Sequence, residues 1–330
     1  MNVIENIHAK ILDSTETFYD VSVCIITYNK AKYIRSAMES VLMQKTTCKY
    51  EIVIGDNQST DGTRELLHEY WEKYPEKVAV ILNDQNLGLT TNMYNTMRKC
   101  KGKYIIVLYG DDYWISDRKI QEQFDFLEKN PEFIGVTSCI ESRYNDENEA
   151  IRTFPCPKLR GKSCCLDDYL DGYDFPMAGV MFRNDVFTEQ NAHFKKMLAA
   201  SLFIDDLSFC ILLLMKGNVH IISDVTAVYR CFKKGEGANN FNTVNPKLKR
   251  DRMSIELLNR IDDATGNTLD LGMRYGLILA SAFFAVLKRE LKFSEYRNIA
   301  GFLSDRYVNK SRTLLLKGIF RKVYLSTIGR

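Results

Sequence analysis

Apolar stretches rich in β-branched residues alternate with amphipathic stretches through the first 130 residues. The apolar stretches lie at Val21–Asn29, Tyr50–Asn57, Val78–Asp84 and 103–112. Stretches with apolar residues at helical spacing follow them at 31–44, 62–74, 90–100 and 117–130. Short apolar runs predict strands, and the helical period predicts helices. Strands that alternate with helices predict an α/β fold, with a mostly parallel sheet and helices on both faces.

The pattern loosens beyond about residue 134 and becomes helical towards the end of the chain. Further strands are predicted at 134–144, 177–185 and 219–232, and a buried helix at 205–217. Three more helices are predicted at 246–263, 267–292 and 293–311. We therefore expect an N-terminal extension over 1–20, an α/β domain over 21–240, and a helical C-terminal region with a basic tail over 246–330.

Polar side chains stand at the carboxyl end of each of the four predicted parallel strands. They are Thr27, Tyr28 and Asn29 after the first strand, Asp56 and Asn57 after the second, Asp84 to Asn86 after the third, and Asp111 and Asp112 after the fourth. The carboxyl ends of parallel strands meet at one edge of a sheet, where open α/β proteins bind their ligands. We therefore expect a binding site at this edge.

Composition and charge exclude several classes of protein. A net charge of +3 is too small to indicate nucleic acid binding. Four scattered histidines and nine cysteines without a C-x-x-C pair do not form a zinc motif, and the cysteines are typical of reduced core thiols. The N-terminus lacks the apolar segment of a signal peptide, and the longest apolar run, Tyr275–Leu287, is too short to span a bilayer. We expect a cytoplasmic protein that is not integral to a membrane.

The two common glycine-rich nucleotide loops are missing from the sequence. No G-x-G-x-x-G follows the first strand, and the chain contains no G-x-x-x-x-G-K-[ST]. A divalent cation beside a diphosphate takes oxygen ligands, of which one or two are usually protein carboxylates. Asp111 and Asp112 supply such ligands, and an ionised Asp56 could accept the imide N–H of a uracil ring. The pattern favours a nucleotide-sugar site with bound Mn²⁺ or Mg²⁺, although an acidic pair alone is also typical of a capped turn.

Several longer segments carry a family resemblance. They are VSVCIITYNKAKYI…SVLMQ, YEIVIGDNQSTDGT, NLGLTTN, CKGKYIIVLYGDDYW and DRKIQEQFDFLEKNP, in this order. Together they resemble family 2 glycosyltransferases of the GT-A fold, particularly the bacterial branch with a G-D-D-Y-W motif that builds surface polysaccharides. The resemblance is dense over residues 20–135 and looser over 176–232. It implies a Rossmann-like GT-A domain with a donor nucleotide half over 21–135 and an acceptor half over 136–240.

The resemblance also implies roles for individual residues. The residues expected beside the donor nucleotide are Thr27, Tyr28, Asn29, Asp56, Asn86, Gly88, Asn92, Asp111 and Arg230. Asp111 and Asp112 are expected to hold Mn²⁺ or Mg²⁺. Asp206 is the expected general base that deprotonates the acceptor, and Asp205 is the second candidate. Two acids at the start of a helix would also complement the helix dipole, which is the alternative interpretation of this pair.

Two positions depart from the family pattern. Tyr109 stands where many relatives carry an acid, so two carboxylates remain to hold a metal. Phe232 stands where the closing segment often has a histidine. These departures leave open a second hypothesis, a catalytically idle nucleotide-sugar-binding or scaffold subunit of a polysaccharide assembly complex.

The resemblance implies an inverting glycosyltransferase that moves one sugar from a nucleotide diphosphate sugar, with UDP as the expected nucleotide, to a hydroxyl of a glycan or lipid-linked glycan.

The tail Arg306–Arg330 has seven basic residues and no acid. It predicts either a solvated or disordered end, or attraction to anionic lipid at about 1 kcal/mol per basic residue. Attraction to anionic lipid would place the protein peripherally on the inner face of the membrane. A further hypothesis is that the helical C-terminal part has an assembly function at that surface. An oligomer is compatible with the sequence.

Overall fold

The computed structural model describes residues 9–13, 18–144, 150–155, 157–187, 206–233 and 246–328. The strands in these ranges are β1 (Ala9–Leu12), β2 (Tyr19–Thr27), β3 (Tyr50–Asp56), β4 (Val78–Asn83), β5 (Gly102–Tyr109), β6 (Tyr113–Trp114), β7 (Phe133–Tyr144), β8 (Ala150–Phe154), β9 (Lys162–Cys164), β10 (Met181–Arg183) and β11 (Asn218–Cys231). The helices are α1 (Ala31–Leu42), α2 (Thr63–Lys73), α3 (Gly88–Met97), α4 (Lys119–Lys129), α5 (Leu166–Leu170), α6 (Asp206–Leu214), α7 (Lys247–Ala264), α8 (Gly272–Leu287), α9 (Phe293–Ala300), α10 (Asp305–Val308) and α11 (Ser311–Ile328).

The strands of the described residues form one sheet. Its order is β1-β4-β3-β2-β5-β10-β7-β11-β6, with β8 beside β7 and β9 beside β11. Strands β2 to β5 are parallel to one another, as are β7 and β11, whereas the short β10 runs antiparallel between β5 and β7. The predicted α/β fold with a helical C-terminal region is confirmed, and its sheet is mixed because short antiparallel strands from both halves of the chain join it.

Each face of the central strands packs against its own layer of helices. Ile25 of β2 belongs to the same buried cluster as Ile34 of α1, whereas the adjacent Cys24 belongs to the cluster that contains Met93 of α3. Successive strand side chains point to opposite faces of a sheet. Both faces are therefore covered, which explains why these strands are continuous apolar runs rather than alternating ones.

The strand order reverses at β2. The chain proceeds from β2 to β3 and β4 on one side, and then β5 pairs with the other side of β2. In open α/β sheets, the crevice outside the strand ends at such a reversal is the usual ligand site. Thr27 ends β2 and Asp111 lies just beyond β5, so the topology places two predicted site residues beside this crevice.

Two parts of the chain differ from the prediction. The extension over 1–20 contains β1, which pairs antiparallel with the edge strand β4 from Ala9↔Asn83 to Leu12↔Val80. The single helix predicted at 293–311 is wrong, because the backbone leaves helical geometry at Ser304 (φ −60°, ψ 157°) and divides the segment into α9 and α10. Strands β8 and β9 and helix α5 were also missed, since their apolar periods are too short to be recognised.

Most of the basic tail forms the helix α11, which packs against α8. A Cβ on Gly318 would overlap the carbonyl oxygen of Gly276, so these two glycines permit a close helix crossing. Arg321 lies 4.0 Å from the ring centroid of Tyr173, and its Nε donates to the carbonyl oxygen of Asp171 at 2.6 Å. The interpretation of the tail as a disordered end is therefore wrong. Among the helices in the described ranges, none has the length and hydropathy needed to cross a bilayer.

A charged residue is buried where α4 meets β7 and β11. Lys119 is fully inaccessible to solvent, and its Nζ donates to Ser138 Oγ at 2.7 Å and to Thr226 Oγ1 at 2.9 Å. Burial lowers the pKa of Lys119 from 10.5 to about 7. The folded chain therefore holds this lysine near the midpoint of its titration at neutral pH.

We expect Lys119→Met to increase the free energy of unfolding most below pH 7. Below pH 7 Lys119 is charged in both states, but only the folded chain buries the charge, and this burial lowers the free energy of unfolding. As pH rises from about 7 to 10.5, folded Lys119 is neutral and this penalty disappears. At about 1.4 kcal/mol per pKa unit, the full penalty is roughly 5 kcal/mol. Denaturant unfolding at several pH values measures the difference, with the exposed Lys129→Met in the same helix as control. A pH-independent difference would contradict this account.

Candidate active site

The ends of β2 and β5 approach each other closely at the predicted edge. The amide of Gly110 donates to the carbonyl oxygen of Ile26 at 2.9 Å. A Cβ on Gly110 would lie 2.8 Å from Thr27 Oγ1 and 2.9 Å from Thr27 Cβ, so the glycine before the acidic pair is needed for this approach. Thr27 itself is only 3% exposed and lies directly beneath the crevice wall formed by Gly110.

Asp56 is fully buried at the end of β3. Its Oδ2 accepts from Arg64 Nε at 2.6 Å and from the amide of Ser59 at 3.0 Å. Its Oδ1 is buried and accepts no hydrogen bond from the described residues. Arg64 was not predicted as a site residue, because it lies in α2 and meets Asp56 only once the strand and the helix pack. The arrangement holds one carboxylate oxygen fixed and leaves the other able to accept a ligand N–H.

The turn after β2 is held by the loop after β3. Asn29 has a positive φ of 52°; its amide donates to Ser59 Oγ at 2.8 Å, and its Oδ1 accepts from the amide of Thr60 at 2.8 Å. Asp61 accepts from the amide of Ala31 at 3.0 Å, at the start of α1. Tyr28 and Asn29 are partly exposed on this turn. Ser59, Thr60 and Asp61 thus serve as supports for the strand end.

The segment after β4 divides into exposed and buried residues. Asn86 and Gly88 are exposed, and Asn86 Oδ1 accepts from Asn57 Nδ2 and from the amide of Gly88, both at 2.9 Å. Asn92 is fully buried, where its Nδ2 donates to the carbonyl oxygen of Gly55 at 2.8 Å. The structure therefore brings Asn86 and Gly88 to the edge, whereas Asn92 braces the end of β3 from below.

Asp111 and Asp112 have different surroundings. Asp111 Oδ2 lies 2.7 Å from Lys30 Nζ, and the two side chains are 17% and 13% exposed. Asp112 is buried; its Oδ1 accepts from the amide of Arg230 at 2.9 Å, and its Oδ2 accepts no hydrogen bond from the described residues. Burial and the negative charge of Asp111 raise the pKa of Asp112 well above its usual range. The charged form of Asp112 is therefore disfavoured unless a cation lies beside it.

Arg230 joins the closing strand β11 to this pair. Its Nη1 donates to the carbonyl oxygen of Asp111 at 2.7 Å, and its guanidinium lies 4.5 Å from the ring centroid of Tyr113. The fold therefore brings Arg230 beside the acidic pair. Trp114, only 2% exposed, packs beneath the same turn.

The residues present fit a divalent cation. A buried carboxylate oxygen without a hydrogen-bond partner, Asp112 Oδ2, is what a cation would satisfy. The described residues contain no group of three or more His, Cys, Asp or Glu side chains that could enclose a metal. Asp111 and Asp112 would therefore hold a cation together with ligand oxygens, which is the usual manner for Mg²⁺ beside phosphates.

The two sequence departures lie next to functional candidates. Tyr109 OH lies 3.5 Å from Asp206 Oδ1, at the start of α6. Asp206 is exposed, and Asp205 lies outside the described residues. Phe232 packs edge-on against Tyr33, with ring centroids 5.5 Å apart. Tyr109 thus connects the end of β5 to the predicted base.

The sequence model of glycosyl transferase family 2 matches residues 22–189, about half of the chain. The match contains most of β2, all of β3 to β5 and the edge formed by their carboxyl ends. The chain belongs to glycosyl transferase family 2. The resemblance to this family is therefore confirmed.

Curated relatives of this family 2 chain match it over a shorter stretch. An uncharacterized protein of Mycobacterium tuberculosis is 34% identical over 112 residues, which are 34% of this chain and 32% of that protein. TuaG of Bacillus subtilis, a glycosyltransferase assigned provisionally to teichuronic acid biosynthesis, is 36% identical over 107 residues, 32% of this chain and 41% of TuaG. These matches thus span less than half the length of either relative.

Solved structures extend the comparison to most of the chain. TarS residues 1–349 from S. aureus, in complex with UDP-GlcNAc, superposes with a TM-score of 0.53 at 16% identity, covering 92% of this chain and 89% of that one. The UDP complex of the same protein gives a TM-score of 0.54 at 14% identity, covering 92% and 88%. At these identities the likeness concerns the fold, and the GT-A-type architecture predicted for this family 2 member is confirmed.

Proposed function

We propose that this chain is an inverting glycosyltransferase that moves a sugar from a nucleoside diphosphate sugar to a hydroxyl of a glycan or lipid-linked glycan. Family membership supports glycosyl transfer. The observation that carries the proposal is the joint placement of an acidic pair, Asp111 and Asp112, just beyond Tyr109 in the chain, and of a separate carboxylate, Asp206, 3.5 Å from the Tyr109 hydroxyl. Asp111 and Asp112 would serve the donor at this edge, and Asp206 would serve as the base for an acceptor.

The donor nucleotide would lie over the ends of β2, β3 and β4. The unpartnered Oδ1 of Asp56 suits the imide N–H of uracil, because an ionised carboxylate only accepts hydrogen bonds. Residues that would contact the nucleotide from the surrounding turns are Thr27, Tyr28, Asn29, Asn86 and Gly88. TarS was crystallised with UDP-GlcNAc, which makes a UDP-sugar the first donor to test.

The reaction requires proton removal from the acceptor and charge compensation on the diphosphate. Asp206, exposed at the start of α6, would take the proton of the attacking hydroxyl. Asp111 and Asp112 would hold Mn²⁺ or Mg²⁺, which when bound supplies Lewis-acid compensation of the leaving diphosphate. Arg230, held against Asp111, adds positive charge on the same side. Inversion follows when the acceptor attacks from the face opposite the diphosphate, in a single displacement.

A panel of nucleotide sugars tests the function. Release of the nucleoside diphosphate in the presence of an acceptor glycan should occur with one donor, require Mn²⁺ or Mg²⁺ and stop with EDTA. Binding of the nucleotide sugar without release under any of these conditions would instead support the scaffold hypothesis. The G-D-D-Y-W motif over 110–114 favours bacterial surface polysaccharides as the acceptor class.

We expect Tyr109→Phe to lower kcat by about two- to tenfold with little change in the donor KM. The lost hydroxyl donates towards Asp206 Oδ1, and a single hydrogen bond contributes about 0.5–1.5 kcal/mol. Because Tyr109 faces the base, the loss should affect the chemical step. Steady-state kinetics with varied donor measure this, and a raised donor KM at unchanged kcat would contradict it.

The membrane hypothesis has structural support in α11. Leu316, Phe320 and Val323 lie along one side of this helix and are 57%, 74% and 52% exposed. No acidic residue lies between Arg306 and Ile328, and Arg312 and Lys317 flank the apolar side. An apolar stripe with basic neighbours is typical of helices that lie on anionic lipid. We propose that the protein acts at such a surface.

We expect the double variant Leu316→Ser with Phe320→Ser to bind anionic vesicles at least about tenfold more weakly, since each buried apolar side chain contributes about 1.5–3 kcal/mol. Flotation with phosphatidylglycerol vesicles measures this, with the exposed Ile151→Ser on β8 as control. Equal flotation of both variants would deny α11 the proposed contact. Point variants are preferable to truncation at Arg306, because Arg306 pairs with the buried Asp262.

A further inference from the structure

Lys30 carries a positive charge beside Asp111 and has no role in the proposed mechanism. Its backbone amide donates to Thr63 Oγ1 at 2.9 Å, so its position at the start of α1 is fixed by the first residue of α2. Its Nζ lies 2.7 Å from Asp111 Oδ2, and both side chains are largely shielded from solvent. Screening by water is weak at such a site, so the ion pair is stronger than one on an open surface.

Phe232 forms the other wall of the Lys30 site. Its ring centroid lies 5.4 Å from Lys30 Nζ, within the range of cation–π attraction. Phe232 itself is 9% exposed and packs against Tyr33. The departure from the family pattern at this position therefore provides an uncharged aromatic surface for an ammonium group.

A divalent cation and Lys30 require the same carboxylate. Two positive groups in contact with one carboxylate repel each other, so a cation on Asp111 displaces the ammonium of Lys30. The stem of Lys30 has four flexible carbons, and its charge can follow another anion nearby. Under the proposed function, that anion is the diphosphate of the donor.

We propose that Lys30 is an internal counter-ion that exchanges partners: it neutralises Asp111 in the free enzyme, yields Asp111 to the divalent cation, and then contacts the donor diphosphate. This inference rests on the proposed function for its ligands. It makes cation and donor binding mutually supportive, because each relieves the cost of the other. The free enzyme accordingly binds the cation weakly until a diphosphate receives the displaced ammonium.

The exchange predicts effects of opposite sign in one variant. Lys30→Met removes the competitor, so Mn²⁺ alone should bind about tenfold more tightly, whereas UDP in saturating Mn²⁺ should bind about tenfold more weakly. Electron paramagnetic resonance of free Mn²⁺ measures the first constant, and calorimetry measures the second. Lys30→Arg retains the positive charge and should remain near the wild type in both. Lys32→Met, an exposed neighbour on α1, is the matched control.

Further results of these binding measurements test the partner exchange of Lys30 and the proposed metal site separately. Unchanged or weaker Mn²⁺ binding in Lys30→Met would overturn the exchange, since Lys30 would then only hold Asp111 in place. Unchanged UDP binding in saturating Mn²⁺ would show that Lys30 does not contact the diphosphate. If the wild type binds Mn²⁺ and Asp112→Asn does not, the proposed metal site stands whatever Lys30 does. If the wild type binds no Mn²⁺ even with UDP, both the metal site and the exchange fail.

Discussion

Asp206→Asn should lower kcat by about a hundred- to ten-thousandfold, with donor binding almost unchanged. The amide keeps the shape of the side chain and can still accept from Tyr109 OH, but it cannot take a proton from the acceptor. Because Asp206 is exposed at the start of α6, the variant should fold normally. Single-turnover kinetics with saturating donor and acceptor isolate the chemical step.

The control for this variant is Asp167→Asn, which also removes an exposed acid from the first turn of a helix. Any loss of helix-dipole compensation is then shared, whereas loss of a base is not. Turnover near the wild-type rate in Asp206→Asn would remove Asp206 from the mechanism. It would also direct attention to Asp205, the second predicted base.

Asp112→Asn should lower kcat by about a hundred- to thousandfold and abolish the response to Mn²⁺. The buried Oδ1 can still accept the amide of Arg230, while the negative charge that would hold the cation is lost. Because burial disfavours the charged form of Asp112, its replacement by a neutral amide should leave the melting temperature of the cation-free protein unchanged or higher. Low activity together with undiminished stability would therefore identify a functional rather than a structural carboxylate.

Asp117→Asn provides the comparison for Asp112→Asn. Asp117 follows the same turn, but its partly exposed carboxylate pairs with the exposed Lys45 away from the edge. Its loss should leave both turnover and the Mn²⁺ response close to those of the wild type. Equal activity losses in the two variants would indicate a general effect of negative charge in this region.

The sequence predicted the parallel core and the acidic edge because both depend on local patterns. β3 is buried along its whole length, so its apolar run is unambiguous, and the acids follow directly after such runs. Lys30 and Arg64 could not be predicted, since each acquires its role from an acid on another strand. Their contacts follow from the order of strands in the sheet, which periodicity does not specify.

Asn92 shows a second reason why the role of a residue could not be predicted from the sequence. Its segment resembles the family pattern, and the prediction placed it in the donor pocket, but an asparagine can serve a ligand or a backbone carbonyl equally well. In the fold it hydrogen-bonds Gly55, where a Cβ would collide with Thr96 Oγ1. A small residue in β3 and an amide in α3 thus depend on each other, and only packing reveals that dependence.

Strand β1 determines where a shortened version of this protein can begin. Without residues 9–12, β4 would present its backbone N–H and C=O groups along an open sheet margin, a surface to which other chains readily add strands. A protein trimmed to begin at Val21 would keep every residue of the acidic edge and yet be prone to self-association. Trimmed versions intended for crystallisation or assay should therefore retain the chain from Ala9 onwards.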